Sequence, residues 1–422
     1  MSQQLILADL YNLAAILKFS FITQIIVPSV EYKIGDIYYG IAYKIFPSIN
    51  AAFVYLDIKN NTYKSGFIHI NDLSYLKNSK FLNTLIYPNI YTIITYQQKI
   101  LVQIIKEPNF NKGPRLTTNL VLKGRYLKLL PFTKSIYISR TISTYEHRSL
   151  LNAFGKLLQP SGIGIIFLEL STTVNENILI DELYVLLKQW NYILKRSINL
   201  SPFNLIYRDD NLLSRIIRDH DANSFKIIYT DTLLNLKRMK FFLKYWQCLI
   251  DCNPRKIYFY ENTDKLIDRT GIYKAWSQLK NNKVELLTGG YIILETFNAM
   301  TIIDVNSGAF NNSLKVKDSI LQINLMAAKE IVYQLIIRNI AGIILIDFID
   351  MNSPKDKLLL LEYLYSLLIH DNAKPQIVQF SELGLVEITR KRISLNLNFY
   401  LIKDTFIYNI SCYFFTKDFS VA

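Results

Sequence analysis

The chain of 422 residues has room for two to four domains and a substantial core. Three cysteines exclude a disulfide framework and point to a reducing compartment. A net charge of +14, spread along the chain, favours a polyanionic partner, nucleic acid before an anionic membrane surface, unless the lysines are merely solubilising.

Residues 1–30 mix apolar and polar positions and predict a strand plus a short helix. Residues 10–30 are the best candidate for a membrane span. Asn12, Lys18, Ser20, Thr23 and Gln24 interrupt them, so no membrane insertion is expected. The opening Met-Ser-Gln-Gln lacks the basic segment of a secretory signal. From Tyr32 the texture changes to short alternating runs at 34–46, 51–57, 65–73 and 91–105, which predict a small β-barrel of the OB kind. Phe53 and Phe67 are the candidate platforms for stacked bases, and Lys106 and Lys112 the candidate phosphate contacts. A place in the barrel core competes evenly for Phe53. His69, alone on a strand, reads as a hydrogen-bonded structural residue.

Strands at 126–130, 135–139 and 164–170 then alternate with helices at 146–158 and 180–196. Arg125, Lys128, Arg140 and Arg148 would line an RNA path or form a solvated face. Residues 225–229 and 256–260 read as strands around a long amphipathic helix at 233–249. Cys248 and Cys252, one helical turn apart among large apolar residues, read as core cysteines rather than metal ligands. Residues 291–295 and 301–304 form a natural hairpin, which would bring Glu295 near an acidic site unless it is only a turn carboxylate.

Residues 300–351 carry the chemistry. Met-Thr-Ile-Ile-Asp-Val-Asn-Ser (300–307) and Gly-Ile-Ile-Leu-Ile-Asp-Phe-Ile-Asp-Met (342–351) are buried-strand patterns that break at an aspartate. Between them, 324–339 is spaced as a helix, giving a βαβ-like unit with both acidic ends near one sheet edge. Asp304 and Asn306, two apart, share a strand face. Two carboxylates with an amide suit a hard, oxygen-seeking cation, Mg²⁺ first. On spacing alone, the same aspartates would equally start turns or cap helices.

This stretch resembles the catalytic domain of the ribonuclease E/G family. The likeness extends over most of the chain: Asn-Lys-Gly-Pro-Arg-Leu-Thr-Thr (111–118), Gly-Arg-Tyr-Leu (124–127), Ile-Ser-Arg (138–140) and residues 380–392 stand in the family's order. The resemblance, closest to a catalytic-domain-only form of plastid or cyanobacterial type, implies a multidomain α/β (α+β) fold. It would comprise an RNase H-like domain (1–34 and 215–278), an inserted OB-fold RNA-binding domain (35–123), a 5′-sensor-like region (124–214), a DNase I-like catalytic domain (279–400) and a tail (401–422). It implies an endoribonuclease dependent on Mg²⁺, with Mn²⁺ as a substitute. The enzyme would cut single-stranded RNA in rRNA processing and mRNA decay, leaving 5′-phosphate and 3′-hydroxyl ends. By position, Asp304 and Asp347 would be the metal ligands and Asn306 the third catalytic residue. Phe53, Phe67 and Lys112 would grip the RNA.

Three departures from the family pattern shape the expectation. Where the 5′-phosphate pocket has an Arg-Thr pair, this chain has Leu168-Glu169, which leaves Lys374 as the one basic contact for 5′ sensing. Residues 395–422 hold only Cys412, while a zinc ion shared between two chains takes four thiolates, so no zinc is expected. The chain also stops where a small dimerisation domain would begin, which leaves a homo-oligomer only through other faces. The Ile-, Asn-, Lys- and Tyr-rich composition suggests the plastid stroma, with a bacterial cytoplasm as the other setting. The rival reading is an RNA-binding protein that keeps the fold with weak or no cleavage; the intact Asp304, Asn306 and Asp347 argue against it.

Overall fold

The computed structural model divides the chain into two compact units. One comprises Met1–Val27, Asn223–Arg238 and Asp251–Ala422, the other Pro28–Ala222 and Met239–Ile250. The described residues are all but 1–2, 9–12, 19–20, 28–31, 60–61, 74–88, 109–111, 210–211, 220–224, 246–255, 287–288, 298, 309–315, 370, 372, 382–383 and 392–422. Cys248, Cys252 and Cys412, and with them the core-cysteine and zinc expectations, lie outside the described residues.

In the first unit, Gln3–Ala8, Leu13–Lys18 and Phe21–Ile26 form an antiparallel meander. Phe225–Thr230 pairs parallel to Gln3–Ala8, and Lys256–Phe259 pairs parallel to Phe225–Thr230, giving a mixed five-stranded sheet. The short helix expected within residues 1–30 is not among the described elements; the described segments there are strands. Leu-Ala-Ala-Ile-Leu-Lys (13–18) has good intrinsic helix formers. Five of its six residues are buried, however, and a strand covered on both faces reads as one apolar run without alternation. Ile6, Ala15 and Leu17 pack with Leu266, Ile272, Trp276 and Leu279 from helices Thr263–Arg269 and Ile272–Lys280.

The same unit holds a six-stranded sheet in the order Lys283–Glu285, Tyr291–Thr296, Met300–Asn306, Gly342–Asp347, Leu385–Arg390, Gln376–Phe380. Only the central pair, Met300–Asn306 with Gly342–Asp347, is parallel. Helix Val316–Ile337 connects these two strands and begins eight residues before the expected start at Asn324. Its Ile323, Ala327, Ile331 and Leu335 join Leu360 and Leu364 of helix Pro354–Leu368 in one core against Ile303, Val305, Ile344 and Ile346. Residues Ile320–Ile337 are long and apolar enough by composition to cross a membrane, unlike residues 10–30, and half of that stretch is buried inside the protein. Just beyond it, Arg338 is fully buried and donates to the carbonyls of Gln278 (3.1 Å), Leu279 (3.2 Å) and Asn281 (2.8 Å). It thereby satisfies the open carbonyls at the end of helix Ile272–Lys280, while burial lowers its guanidinium pKa to about 10.

In the second unit, Ile37–Phe46, Ala51–Lys59, Thr62–His69, Arg115–Thr117 and Lys99–Lys106 pair in turn. Pairing of Ile37–Phe46 with Lys99–Lys106 closes a five-stranded barrel. Residues 91–92, expected inside a strand, lie in the 3₁₀ turn Ile90–Thr92, whose Ile90 plugs the barrel core, and the strand starts only at Lys99. Four short strands (122–123, 127–130, 136–138, 164–167) and helices Tyr145–Leu158 and Glu176–Asn199 follow the barrel in sequence, before Asn204–Tyr207 pairs with Ile37–Phe46 and helix Leu212–Asp219 follows.

Candidate active site

Strand alternation sets the site. Along Met300–Asn306, Thr301, Ile303 and Val305 are buried, while Ile302, Asp304 and Asn306 face the other way and stay partly solvated. Along Gly342–Asp347, Ile344 and Ile346 point to the core and Asp347 is exposed. The parallel register places Asp304 directly opposite Asp347, so the two carboxylates stand side by side on the uncovered face. Asn306 donates its side-chain N–H to Asp304 Oδ2 at 2.6 Å, which fixes the rotamer of that carboxylate. No ion pair neutralises Asp304 or Asp347 among the described residues.

Asp347 answers to that crowding. Partial loss of hydration, followed by the charges of Asp304 and Asp350, raises its pKa above the ordinary 3.8. The folded, metal-free protein therefore holds this proton more tightly than the unfolded chain does. That contribution to stability is fully present below 3.8 and is lost as pH rises through the raised value. A cation must displace the same proton. Affinity for a divalent ion should accordingly fall, as pH is lowered, earlier than an ordinary aspartate would dictate. Calorimetric metal titrations from pH 7 to pH 4 check this, with Asp350→Asn expected to move the fall to lower pH.

Two further positions bear on the site although no motif marks them in the sequence. Asn324 is fully buried on the apolar helix Val316–Ile337. It donates to the Ile349 carbonyl (2.8 Å) and accepts from the Ile349 N–H (3.1 Å), pinning the chain two residues past Asp347. An asparagine at a core position of a helix was the available signal, since a buried amide must find partners. Asp350 is the second aspartate of the Ile-Asp-Phe-Ile-Asp segment; it is exposed and close enough to act on Asp347. Among the described residues no three His, Cys, Asp or Glu side chains gather as a metal-ligand set, so the site consists of two carboxylates and an amide. Glu295 lies on the same face as Asp304 but pairs with Ile302, one row away, and is exposed.

Comparison with known proteins settles the family. The profile described as the Ribonuclease E/G family matches residues 121–393. A Ribonuclease E/G-like protein of Pyropia yezoensis is 44% identical over 417 residues, covering 99% of this chain and 80% of the relative. Ribonuclease E of Synechocystis sp. is 38% identical over 404 residues (94% of this chain, 58% of the relative). Ribonuclease G of Escherichia coli K12 is 30% identical over 363 residues (85% and 73%). The chain belongs to the ribonuclease E/G family. It is an endoribonuclease by class, in a family that is generally metal-dependent.

The ribonuclease's barrel brings together most of the residues expected to hold RNA. Cross-strand register puts Lys44, Phe53, Phe67, Arg115 and Lys106 in one row around the barrel. Ala52, Val54 and Leu56 are buried inside, so Phe53 points outward and is not barrel core. Its ring meets Phe67 edge-on, with centroids 5.8 Å apart. Lys106 and Lys112 are exposed. Gly113 lets the Lys-Gly-Pro segment lie against Thr62–His69, because a Cβ there would stand 2.5 Å from the Ser65 carbonyl oxygen. His69 is structural, accepting from the Asn71 N–H at 3.2 Å.

Other family landmarks prove to be scaffolding. The Glu182 carboxylate accepts from the backbone N–H groups of Arg125 (2.6 Å), Tyr126 (2.8 Å) and Leu127 (2.8 Å). Gly124 is required beside it, since a Cβ would meet the Glu182 carboxyl at 2.6 Å. Arg125 is buried and donates to the Ile217 carbonyl, and Arg148 donates to the carbonyls of Ser139 and Ile142, both at 3.0 Å. Arg125 is thus inside the protein, whereas Arg148 and Lys128 are half-buried and Arg140 is exposed. Leu168 and Glu169 enter a short 3₁₀ turn, Glu169 exposed, while Lys374 is an exposed residue at φ +50° in the first unit.

Proposed function

We propose that this ribonuclease hydrolyses single-stranded RNA at Asp304, Asp347 and Asn306 with a bound divalent ion, Mg²⁺ in the first instance and Mn²⁺ as a substitute. One observation carries the reading: two carboxylates without an ion pair among the described residues stand in register on an open sheet face, one of them oriented by Asn306. Mg²⁺ is commonly held by one or two carboxylates with water and substrate phosphate completing its shell, which suits a site of two carboxylates. When bound there, the ion would supply charge neutralisation and a more acidic water. Asp304 and Asp347 supply the anionic ligands. Asn306 keeps Asp304 in one rotamer, with contact to the scissile phosphate as its other role.

The remaining assignments rest on this reading. Phe53 and Phe67 stack bases, and Lys106 and Lys112 contact phosphates. The products carry 5′-phosphate and 3′-hydroxyl ends, from substrates in rRNA processing and mRNA decay. The meander with two parallel strands added supports an RNase H-like domain (1–34 and 215–278). The closed barrel supports an inserted OB-fold domain (35–123), followed by a sensor-like region (124–214), and the six-stranded sheet supports a DNase I-like domain (279–400). Leu168 and Glu169 leave 5′-end sensing with Lys374 alone. Relatives in Pyropia yezoensis, Porphyra purpurea and Synechocystis support a plastid setting, or else a bacterial one. A homo-oligomer would form without a zinc link.

The test is cleavage of an end-labelled, unstructured A/U-rich RNA in Mg²⁺ or in EDTA, with the product ends typed by phosphatase and ligase. Cuts in Mg²⁺ but not in EDTA, with 5′-phosphate ends, are expected; binding without cutting in Mg²⁺, or in Mn²⁺ in its place, would favour the RNA-binding rival. In the same assay Phe53→Ala and Phe67→Ala should each weaken RNA binding by about 1–3 kcal/mol, the range for a lost base–aromatic stack. Far-ultraviolet circular dichroism should show both barrels intact.

A further inference from the structure

The open face that bears the carboxylates continues past them to the sheet's edge, and what stands there has no part in the chemistry so far described. Register carries one row from Lys283 through Ile293 to Asp304 and Asp347. The next row runs from Glu285 through Tyr291 to Asn306. Lys283 lies two strand spacings from Asp304, about 10 Å. Its Nζ sits over the Tyr291 ring, 4.0 Å from the centroid, and Lys283 has no ion pair among the described residues. Glu285, exposed on the same face, is thus not its partner. Val284 between them is buried, so both side chains are held outward by the strand. A Cβ on Gly290 would stand 2.8 Å from the Asn306 carbonyl oxygen, so the hairpin end packs backbone to backbone beside Asn306. That close approach fixes Tyr291, and with it Lys283, relative to the site.

We infer that Lys283, held in place by Tyr291, contacts the RNA backbone at a phosphate flanking the scissile one, on the Asn306 side of the carboxylates. This rests on the reading of Asp304 and Asp347 as the cleavage site. The physical case is one of charge and pre-organisation. Two carboxylates repel a polyanion unless cations flank them, and an ammonium docked on a ring face forgoes less side-chain freedom when it binds phosphate. Tyr291 is a positioning residue in this account and Lys283 the contact.

The experiment measures binding of a single-stranded RNA across a KCl series, with the Lys283→Ala, Lys283→Arg, Tyr291→Leu and Tyr291→Phe variants beside wild type in EDTA. Lys283→Ala should flatten the slope of log affinity against log salt by about 0.7, the value for one phosphate contact on a single strand. Lys283→Arg and Tyr291→Phe should keep the slope, and Tyr291→Leu should lose part of it. A methylphosphonate walked along the RNA should weaken wild type at one linkage beside the cleavage site and leave Lys283→Ala indifferent there. In turnover with Mg²⁺ the loss should fall on KM rather than kcat. An unchanged slope and unchanged methylphosphonate profile in folded Lys283→Ala would overturn the inference. Absence of Mg²⁺-dependent cleavage in wild type would instead overturn the cleavage reading, while the binding slopes still judge Lys283.

Discussion

Replacing Asp347 with asparagine should cut cleavage about a thousandfold and make the metal-free protein more stable. The two effects come from one arrangement. Asp304 and Asp347 face each other across adjacent strands with no ion pair to neutralise them among the described residues, and like charges in that position oppose each other by roughly 0.2–1 kcal/mol. Asn removes a charge while keeping the shape, so the thermal midpoint in EDTA should rise by about 1–4 °C. Activity should fall by roughly three orders of magnitude, as expected when an electrostatic contribution of several kcal/mol to the transition state is lost. Asp304→Asn should behave alike in activity, although its hydrogen bond with Asn306 then depends on which way the new amide faces. RNA affinity in EDTA should not fall in either variant, and a small gain is expected because the polyanion meets one carboxylate fewer. A drop in stability would show that the pair is held by contacts other than those described here. Scanning calorimetry beside a cleavage assay measures both.

The second large effect lies behind the site. Arg390 and Asp371 form a buried pair, each side chain no more than 4% exposed, through Nε–Oδ2 at 2.6 Å and a second bond at 3.2 Å. The same guanidinium donates to the Ile340 carbonyl at 2.6 Å and the Asn339 side chain at 3.3 Å. It thus clamps the turn from which the Asp347 strand departs. Asp371→Asn leaves a buried charge uncompensated, which costs about 3–5 kcal/mol and should lower the thermal midpoint by roughly 6–20 °C. Replacing both partners with apolar residues should cost less than the sum of the single changes, because no orphan charge is left. A double-mutant cycle by urea unfolding checks this. Additive losses would mean that the two side chains are independent.

That clamp also explains why Arg390 stands in a segment that the sequence shares with the family. From sequence, residues 380–392 were a landmark without a job. A salt bridge between residues nineteen apart leaves no periodic trace. The carboxylate pair was legible for the opposite reason. Strand alternation fixes which face Asp304 and Asn306 share, and a helix between two strands fixes a parallel register. The N-terminal meander was half legible: Leu13–Lys18 carries helix-forming residues, and only its burial in mid-sheet decides against them. The barrel's strands were visible as alternation, but its closure through Ile37–Phe46 and Lys99–Lys106 was not, because residues 91–98 look like strand and instead follow Ile90 through a 3₁₀ turn that plugs the barrel. Phe53 was undecided from sequence because inward and outward positions alternate identically until one neighbour's burial is known. Arg125 read as part of an RNA path or a solvated face, whereas it is buried and bonds a carbonyl that no sequence pattern marks.

The most direct measurement of the central claim is Mn²⁺ binding followed by electron paramagnetic resonance, on wild type and on Asp304→Asn, Asp347→Asn and Asn306→Ala, with Mg²⁺ as competitor. Wild type should bind an ion that Mg²⁺ displaces, with binding lost in both aspartate variants and weakened in Asn306→Ala. Unchanged Mn²⁺ binding in the aspartate variants, with cleavage intact, would contradict it and move the catalytic centre elsewhere in the molecule.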